Sequence, residues 1–521
     1  MRSAIPLDAP AIIAQLKRWG VVSMCIGSGM GAAGWIEVLD YILIFREKGG
    51  PNGPLYFYQK SDIMHSKMSL NPKVYALLFR KFERADGSPS RPVIAVWIVL
   101  CFTLYTYFLS LGLNKISDSL FYDESQWIWV SDKYFGYVLK GDFRNPDWFK
   151  SYNTFGKYNP KIAQYLIGIP LALSGELNTQ FNPMEWRWDK DINWNDLAGC
   201  APPFRTLFYG RIIMPFLYSG CALLFLFITS RFLHWLPSLV ATFFLGTNPL
   251  LLKYSGRALQ EAPTLFFSLA FLAVLFSINW RKTLTKSRAG ALGCALVSGF
   301  FLGLAVGTKM NNLVLVGVFG LNLAWLTMVE MSPKLRFRAR GFLRLVWMSA
   351  AGLLMSLVVM VGSNPFLYAK NPLESLKRAK VLLELGSKVK GYKNESYDAQ
   401  FAISSQSSKL QLVYSHILQK SFLHGVIGVL ILAAATVVML FSFGRALTRH
   451  TDKEADRLFL VNIATFSIFW INFLWIPMNW DRFFLPLLVP VGVLVGFAAE
   501  VTLILAVKII ERKPSLELRL N

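Results

Sequence analysis

Ten separate stretches of this chain are apolar over about 17–25 residues, the length a helix needs to cross the hydrocarbon core of a bilayer. They cover residues 93–113, 211–230, 237–253, 262–279, 289–307, 311–328, 342–362, 422–443, 458–476 and 483–508. Inside lipid every backbone N–H and C=O must find a partner within the chain, so runs of this kind are read as helices. Composition agrees: 54% of residues are apolar and 16% charged, against roughly a quarter charged in an ordinary globular chain. The predicted fold class is an all-α polytopic membrane protein of about 10–11 transmembrane helices, with a large first outer loop containing interfacial helices. Disordered, fibrous and disulfide-scaffold classes are excluded on the same arithmetic.

The formal net charge is +23, which invites a nucleic-acid reading until the placement of the basic residues is considered. They cluster in short gaps between apolar runs, as at Arg281, Lys282, Lys286 and Arg288, or Lys334, Arg336, Arg338 and Arg340. Such loops stay on the cytoplasmic side during insertion. Placing every cluster inside lets all ten runs alternate, so the charge is topogenic. Lys161–Gly175 breaks that parity; it is short and follows Pro160, and it is expected to lie in or re-enter the outer interface. Cys25, Cys101, Cys200, Cys221 and Cys294 form no CxxC and no Cys/His cluster, so no zinc site or disulfide frame is indicated.

Three regions are expected. Residues 1–91 form an N-terminal cytoplasmic or interfacial segment of unknown role, 92–508 a transmembrane domain with outer loops 114–210 and 363–421, and 509–521 a cytoplasmic tail. The run GSGMGAAG at residues 27–34 superficially resembles a dinucleotide fingerprint, but no βαβ pattern surrounds it. Its glycines are read as close helix packing or a re-entrant turn.

Ionisable residues gather at the outer level. Asp123 and Glu124 lie in FYDESQW, just beyond the first apolar run. A carboxylate pair so near the bilayer is either solvated, a helix cap, or functional. One such group can accept a proton while its neighbour orients it or holds a ligand. Lys157 and Lys161 in GKYNPKI, Arg257 in YSGRALQEAP, Lys309 in GTKMNN and Arg482 in NWDRFFLP share that level. Singly these are snorkelling cations; together they suit a phosphate. Glu261, four residues after Arg257, is placed to pair with it on one helix face.

These segments, taken in order, resemble a known family. YDESQW, YNPKIAQYLIGIPLALSG, FRTLFYGRIIMPFLYSG, TNPLLLKYSGRALQEAPTLFF, GLAVGTK, SNPFLY and DRFFLPLLVPVGVL resemble the C-type glycosyltransferases. Within that group they look like the protein O-mannosyltransferase-like branch, which includes the transferases that add aminoarabinose to lipid A. The resemblance covers about residues 93–507. It implies that Asp123 or Glu124 is the catalytic base, that Lys161 (or Lys157), Arg257, Lys309 and Arg482 line a lipid-phosphate site, and that Glu261 is a second acidic position. It also implies a polyprenyl-phosphate-linked sugar donor, a lipid, glycan or protein hydroxyl acceptor, and a bacterial inner (plasma) membrane. A divalent metal, Mg or Mn, between Asp123 and Glu261 is left open. Three features depart from the pattern: Asn159-Pro160-Lys161 stands where the family has adjacent prolines, the insert from Glu176 to Pro203 is long, and residues 1–91 match nothing in it.

The function so implied is inverting transfer of a sugar from a polyprenyl-phosphate carrier to a hydroxyl at the outer membrane face. The rival readings are a secondary transporter or flippase, and a non-catalytic scaffold subunit docked through residues 1–91. A transporter would carry its ionisable groups near mid-membrane. Here they collect at one face.

Overall fold

The computed structural model describes residues 21–26, 30–35, 91–148, 159–177, 186, 187, 190–280, 288–330, 339–369, 371, 373–381, 403, 405–448, 453–476 and 478–512. The chain divides into two units, residues 1–80 with 497–521, and residues 81–496. In the first unit β1 (Val21–Ile26) and β2 (Met30–Trp35) pair antiparallel, with Val21 opposite Trp35 and Ile26 opposite Met30. This corrects the helix-packing reading of the glycine run: Val21 and Val22 favour an extended chain, and the glycines of β2 belong to a hairpin.

The described part of the second unit is helical. Its elements begin with α1 (Arg91–Leu113), α2 (Tyr122–Leu139), α3 (Ile162–Leu173), α4 (Phe204–Arg211), α5 (Ile213–Thr229), α6 (Trp235–Gly246) and α7 (Pro249–Ser255). Then come α8 (Glu261–Ser277), α9 (Arg288–Thr308), α10 (Val314–Glu330), α11 (Ala339–Gly362), α12 (Gly425–Thr448), α13 (Lys453–Trp475) and α14 (Leu488–Arg512), which runs on past residue 496. Short 3-10 turns at Met310–Leu313 and Asp481–Leu487 lead into α10 and α14. Every expected apolar run forms a helix, and the chain is an integral, multi-pass membrane protein.

Among the described residues six helices are long and apolar enough to cross, and α6 with α7, bent by 59° at their break, make a seventh if counted as one. The other three runs form shorter apolar helices, Glu261–Ser277, Met310–Leu326 and Val346–Gly362. The reason is local: α8 begins only after the turn that carries Arg257, and Met310–Leu313 is wound as a 3-10 turn. At 17 residues α8 is about 26 Å long, somewhat short of the ~30 Å core.

Helix α3 has 12 residues, about 18 Å, too short to cross. It packs along α2 instead. A Cβ at Gly168 would lie 2.4 Å from Phe135 Cβ, so the two helices approach this closely only with glycine there. Gly175, with φ of 75°, stops α3 in a left-handed turn while the Glu176 N–H reaches back to the Leu171 carbonyl at 2.9 Å.

Chain direction then fixes where chemistry collects. The C-terminal ends of α1, α9 and α13 meet the N-terminal ends of α2, α8 and α14 at one end of the bundle. The linking segments there carry Asp123, Arg257, Glu261, Lys309 and Arg482.

Candidate active site

Helix α2 starts at Tyr122, and its first turn contains both members of the acidic pair. The positive end of a helix dipole favours carboxylates there. The two acids nevertheless differ completely in surroundings. Glu124 is fully buried and receives four donors: Arg211 Nε and the Ala258 N–H at Oε1, both at 2.8 Å, with Arg211 Nη2 at 2.5 Å and the Phe121 N–H at 3.0 Å on Oε2. Arg211 in turn donates from Nη1 to the carbonyls of Ile116 and Asp118, both at 2.6 Å, and from Nη2 to that of Ser119 at 3.2 Å. Glu124 thus fastens the start of α2 to α4 and to the turn before α8. Both Glu124 oxygens are occupied by donors of the fold.

Asp123 faces elsewhere. It is 8% exposed and pairs with Arg482 from the 3-10 turn Asp481–Leu487. The Arg482 guanidinium also lies over the rings of Trp480 at 5.0 Å and Phe483 at 5.9 Å. Lys309, the residue before Met310–Leu313, donates from Nζ to Glu261 Oε1 at 3.3 Å. Glu261 occupies the first turn of α8, and its second oxygen, Oε2, is buried with no hydrogen-bond partner. It pairs with Lys309, and not with Arg257 as the four-residue spacing suggested.

Glu261, Lys309 and Arg482 line one narrow cleft with a cavity volume of about 40 Å³. Along α8 its wall passes from Glu261 through Thr264, Leu265, Ser268 and Leu269 to Leu272. That is a path of about 16 Å from charge to hydrocarbon. Leu315, Ile468 and Val489 face it from the other helices.

Arg257 does not line this cleft. Its guanidinium lies 4.6 Å over the Phe121 ring, its Nε donates to the Lys253 carbonyl at 2.9 Å, and its Nη1 is buried without an acceptor. Beside it, Lys253 Nζ and Tyr254 Oη both donate to Asp481. Four cations (Lys253, Arg257, Lys309 and Arg482) therefore meet three carboxylates (Asp123, Glu261 and Asp481) at this end, an excess of one positive charge.

Lys161 is in a different place. It is fully buried at the start of α3, its Nζ 2.9 Å from the Asn159 carbonyl and 4.8 Å from the centre of the Tyr134 ring. Tyr134 lies eleven residues along α2 from Asp123, about 16 Å at helical rise. Burial pulls the Lys161 ammonium down to about 7. Lys161 thus lies over the Tyr134 ring and is not among the residues that line the cleft. Lys157 lies outside the described residues.

The donor set also bears on a metal. Among the described residues no three His, Cys, Asp or Glu side chains gather, and Asp123 and Glu261 are each paired with a cation. A divalent ion would have to displace both cations, so these residues do not fit one as placed.

Arg211, Lys253 and Asp481 were not singled out from the sequence. Arg211 opens one apolar run and Lys253 closes another, so both read as span boundaries. The available signal was that an ionisable residue within an apolar run needs a named partner.

No protein-family model and no curated protein matches this sequence. The chain is similar to ArnT from Cupriavidus metallidurans bound to undecaprenyl phosphate, at 14% identity and a TM-score of 0.43, over 77% of this chain and 60% of that one. It is similar to the oligosaccharyltransferase AglB of Archaeoglobus fulgidus, in complex with an inhibitory peptide and a dolichol-phosphate, at 10% identity and a TM-score of 0.43, over 77% of this chain and 50% of that one. An Archaeoglobus fulgidus oligosaccharyltransferase in complex with Zn and sulfate gives 13% identity and 0.44, over 78% and 50%. The chain thus spans 60% of the first structure and half of each of the others. Identity this low carries no residue role across.

Proposed function

We propose that this protein is a membrane glycosyltransferase that moves a sugar from a polyprenyl-phosphate carrier to an acceptor hydroxyl. The observation that carries this reading is the cleft, charged at Glu261, Lys309 and Arg482 and apolar from Leu265 to Leu272. A ligand that fits such a gradient has an anionic head and a long hydrocarbon tail. The resemblance of the sequence motifs points to the same donor.

The chemistry follows from the charges. The acceptor oxygen attacks the anomeric carbon as the bond from that carbon to the phosphate oxygen breaks. The electron pair of that bond leaves on the lipid phosphate, whose negative charge grows from one towards two. Lys309 and Arg482, with Arg257 beside them, stabilise that growth, so no acid is needed at the leaving group. Asp123 takes the proton of the acceptor hydroxyl. Asp123 pairs with Arg482 in the structure. The incoming phosphate draws Arg482 away, and the carboxylate becomes free to act as base when the donor is present. With Glu124 held by Arg211, Asp481 by Lys253 and Tyr254, and Glu261 by Lys309, one carboxylate, Asp123, is assigned to the reaction. A retaining double displacement needs two carboxylates about 5 Å apart across the bond. Single displacement with inversion is therefore the mechanism proposed.

The experiment is incubation of the purified protein with polyprenyl-phosphate sugars radiolabelled in the sugar, following release of lipid phosphate and the anomeric configuration of the product. Release with inversion supports the reading. Absence of release from every donor, with the protein folded and acceptor lipids present, removes it.

A further inference from the structure

Two consecutive residues of the turn Asp481–Leu487 bond in different directions. Asp481 accepts from Lys253 Nζ and Tyr254 Oη, both on α7. Arg482 pairs with Asp123 on α2 and lines the cleft. The turn has no side-chain cap of its own: Trp480 before it is extended, with φ of −103° and ψ of 119°. Its start is held by the Asp481 contacts, by the Phe483 N–H donating to the Trp480 carbonyl at 2.9 Å, and by the neighbouring bond between Asn479 Oδ1 and His416 Nε2 at 2.9 Å.

The clamp reaches the base as well. The Tyr254 ring meets Phe121 edge-on at 6.2 Å, and Lys253 Nζ lies 5.8 Å from the centre of the same ring. Phe121 is the residue immediately before α2 and two before Asp123, and its N–H is held by Glu124. Lys253 and Tyr254 thus touch both the segment that carries Arg482 and the segment that carries Asp123.

By Coulomb's law alone, a carboxylate next to an anion site opposes binding of a phosphate. Asp481 makes sense there as an anchor whose charge Lys253 offsets. The geometry points to Asp481 as a positioning residue: clamped by Lys253 and Tyr254, it fixes the backbone beneath Arg482, so that the guanidinium exchanges the Asp123 carboxylate for the phosphate of a polyprenyl-phosphate ligand while the turn stays in place. This rests on the reading of the cleft as a polyprenyl-phosphate site. A long, flexible arginine loses less freedom on binding when its backbone is already fixed.

Charge and position predict opposite signs, which makes the idea testable without knowing the sugar. Binding of a C55 polyprenyl phosphate to the full chain in lipid nanodiscs is measured, with the uncharged polyprenol as control, for the wild type, Asp481→Asn, Arg482→Gln and the double variant. Asp481→Asn is expected to weaken phosphate binding about tenfold in the wild-type background and to change it less than about twofold in the Arg482→Gln background, a coupling that a double-mutant cycle isolates. Tyr254→Phe removes one donor from the clamp and should give a smaller loss with the same dependence on Arg482; it serves if Asp481→Asn fails to fold. Tighter binding by Asp481→Asn would show that charge alone matters and overturn the proposal. Equal losses in both backgrounds would make Asp481 a general structural contact and overturn it too. Failure of the wild type to prefer the phosphate over the polyprenol would instead remove the reading of the cleft, and the positioning role with it.

Discussion

Arg211 grips both oxygens of Glu124, Nε at 2.8 Å and Nη2 at 2.5 Å, across 87 residues of sequence and with neither side chain open to solvent. A fork of this kind, closed further by two backbone N–H donors, holds the charge of each partner only while the other is present. Removing one partner of a buried pair typically costs about 3–5 kcal/mol, because the remaining charge is stranded. Glu124→Gln should therefore lower the unfolding midpoint markedly, and Glu124→Gln with Arg211→Met should cost less than the sum of the single changes. Thermal unfolding of the purified variants in one detergent checks this. A Glu124→Gln protein of wild-type stability that has lost transfer would exchange the roles given to Glu124 and Asp123.

Burial of Lys161 makes stability depend on pH in a definite direction. Below the folded-state value of about 7 the folded and unfolded chains both hold the proton, and burial disfavours the charged form in the folded chain. Between about 7 and the ordinary 10.5 the folded chain has released the proton while the unfolded chain keeps it, so stability climbs with pH. The unfolding midpoint should rise across that window and should rise less in Lys161→Met, which is also expected to be the more stable protein at neutral pH. Parallel pH profiles for the two proteins would contradict this.

The cleft predicts an asymmetry between Lys309 and its partner. Lys309→Met removes a cation from the anion site and should weaken polyprenyl-phosphate binding by about tenfold. Glu261→Gln keeps a hydrogen-bond acceptor for Lys309 but removes the competing negative charge, so binding should hold or tighten. Equilibrium binding of the lipid phosphate at two salt concentrations measures both. Weaker binding by Glu261→Gln would mean that the carboxylate contacts the ligand directly.

Much of this arrangement was legible in the sequence, for identifiable reasons. The ten apolar runs mark helices because lipid leaves the backbone no other partner, and each run does form one. Lys309 and Arg482 stood out because cations are unexpected in short turns between apolar helices on that face, and they share the cleft with Glu261. The partners did not stand out. The Glu124–Arg211 and Arg482–Asp123 contacts join residues far apart in the chain, and no spacing rule relates such positions. The surroundings of Lys161 were not legible, because a Lys beside a proline at the membrane surface looks the same in sequence whether it meets a ligand or packs under a tyrosine ring. The breaks within the runs did not stand out either: the break at Thr247 and Asn248 and the turn carrying Arg257 interrupt helices in ways that hydropathy smooths over.

The central claim is that Asp123 is the proton acceptor and that Arg482 yields it to the donor phosphate. Asp123→Asn keeps the shape of the side chain and removes the charge that accepts the proton. The direct measurement is the rate of sugar transfer from a radiolabelled polyprenyl-phosphate donor by Asp123→Asn beside the wild type, with binding of the lipid phosphate followed on the same preparations. The account predicts a fall in turnover of about 10²–10⁴, the usual worth of a general base. It also predicts lipid-phosphate binding as tight as in the wild type or tighter, since Arg482 loses its competing carboxylate. Near-wild-type transfer by Asp123→Asn would contradict the account and make Asp123 a structural partner of Arg482.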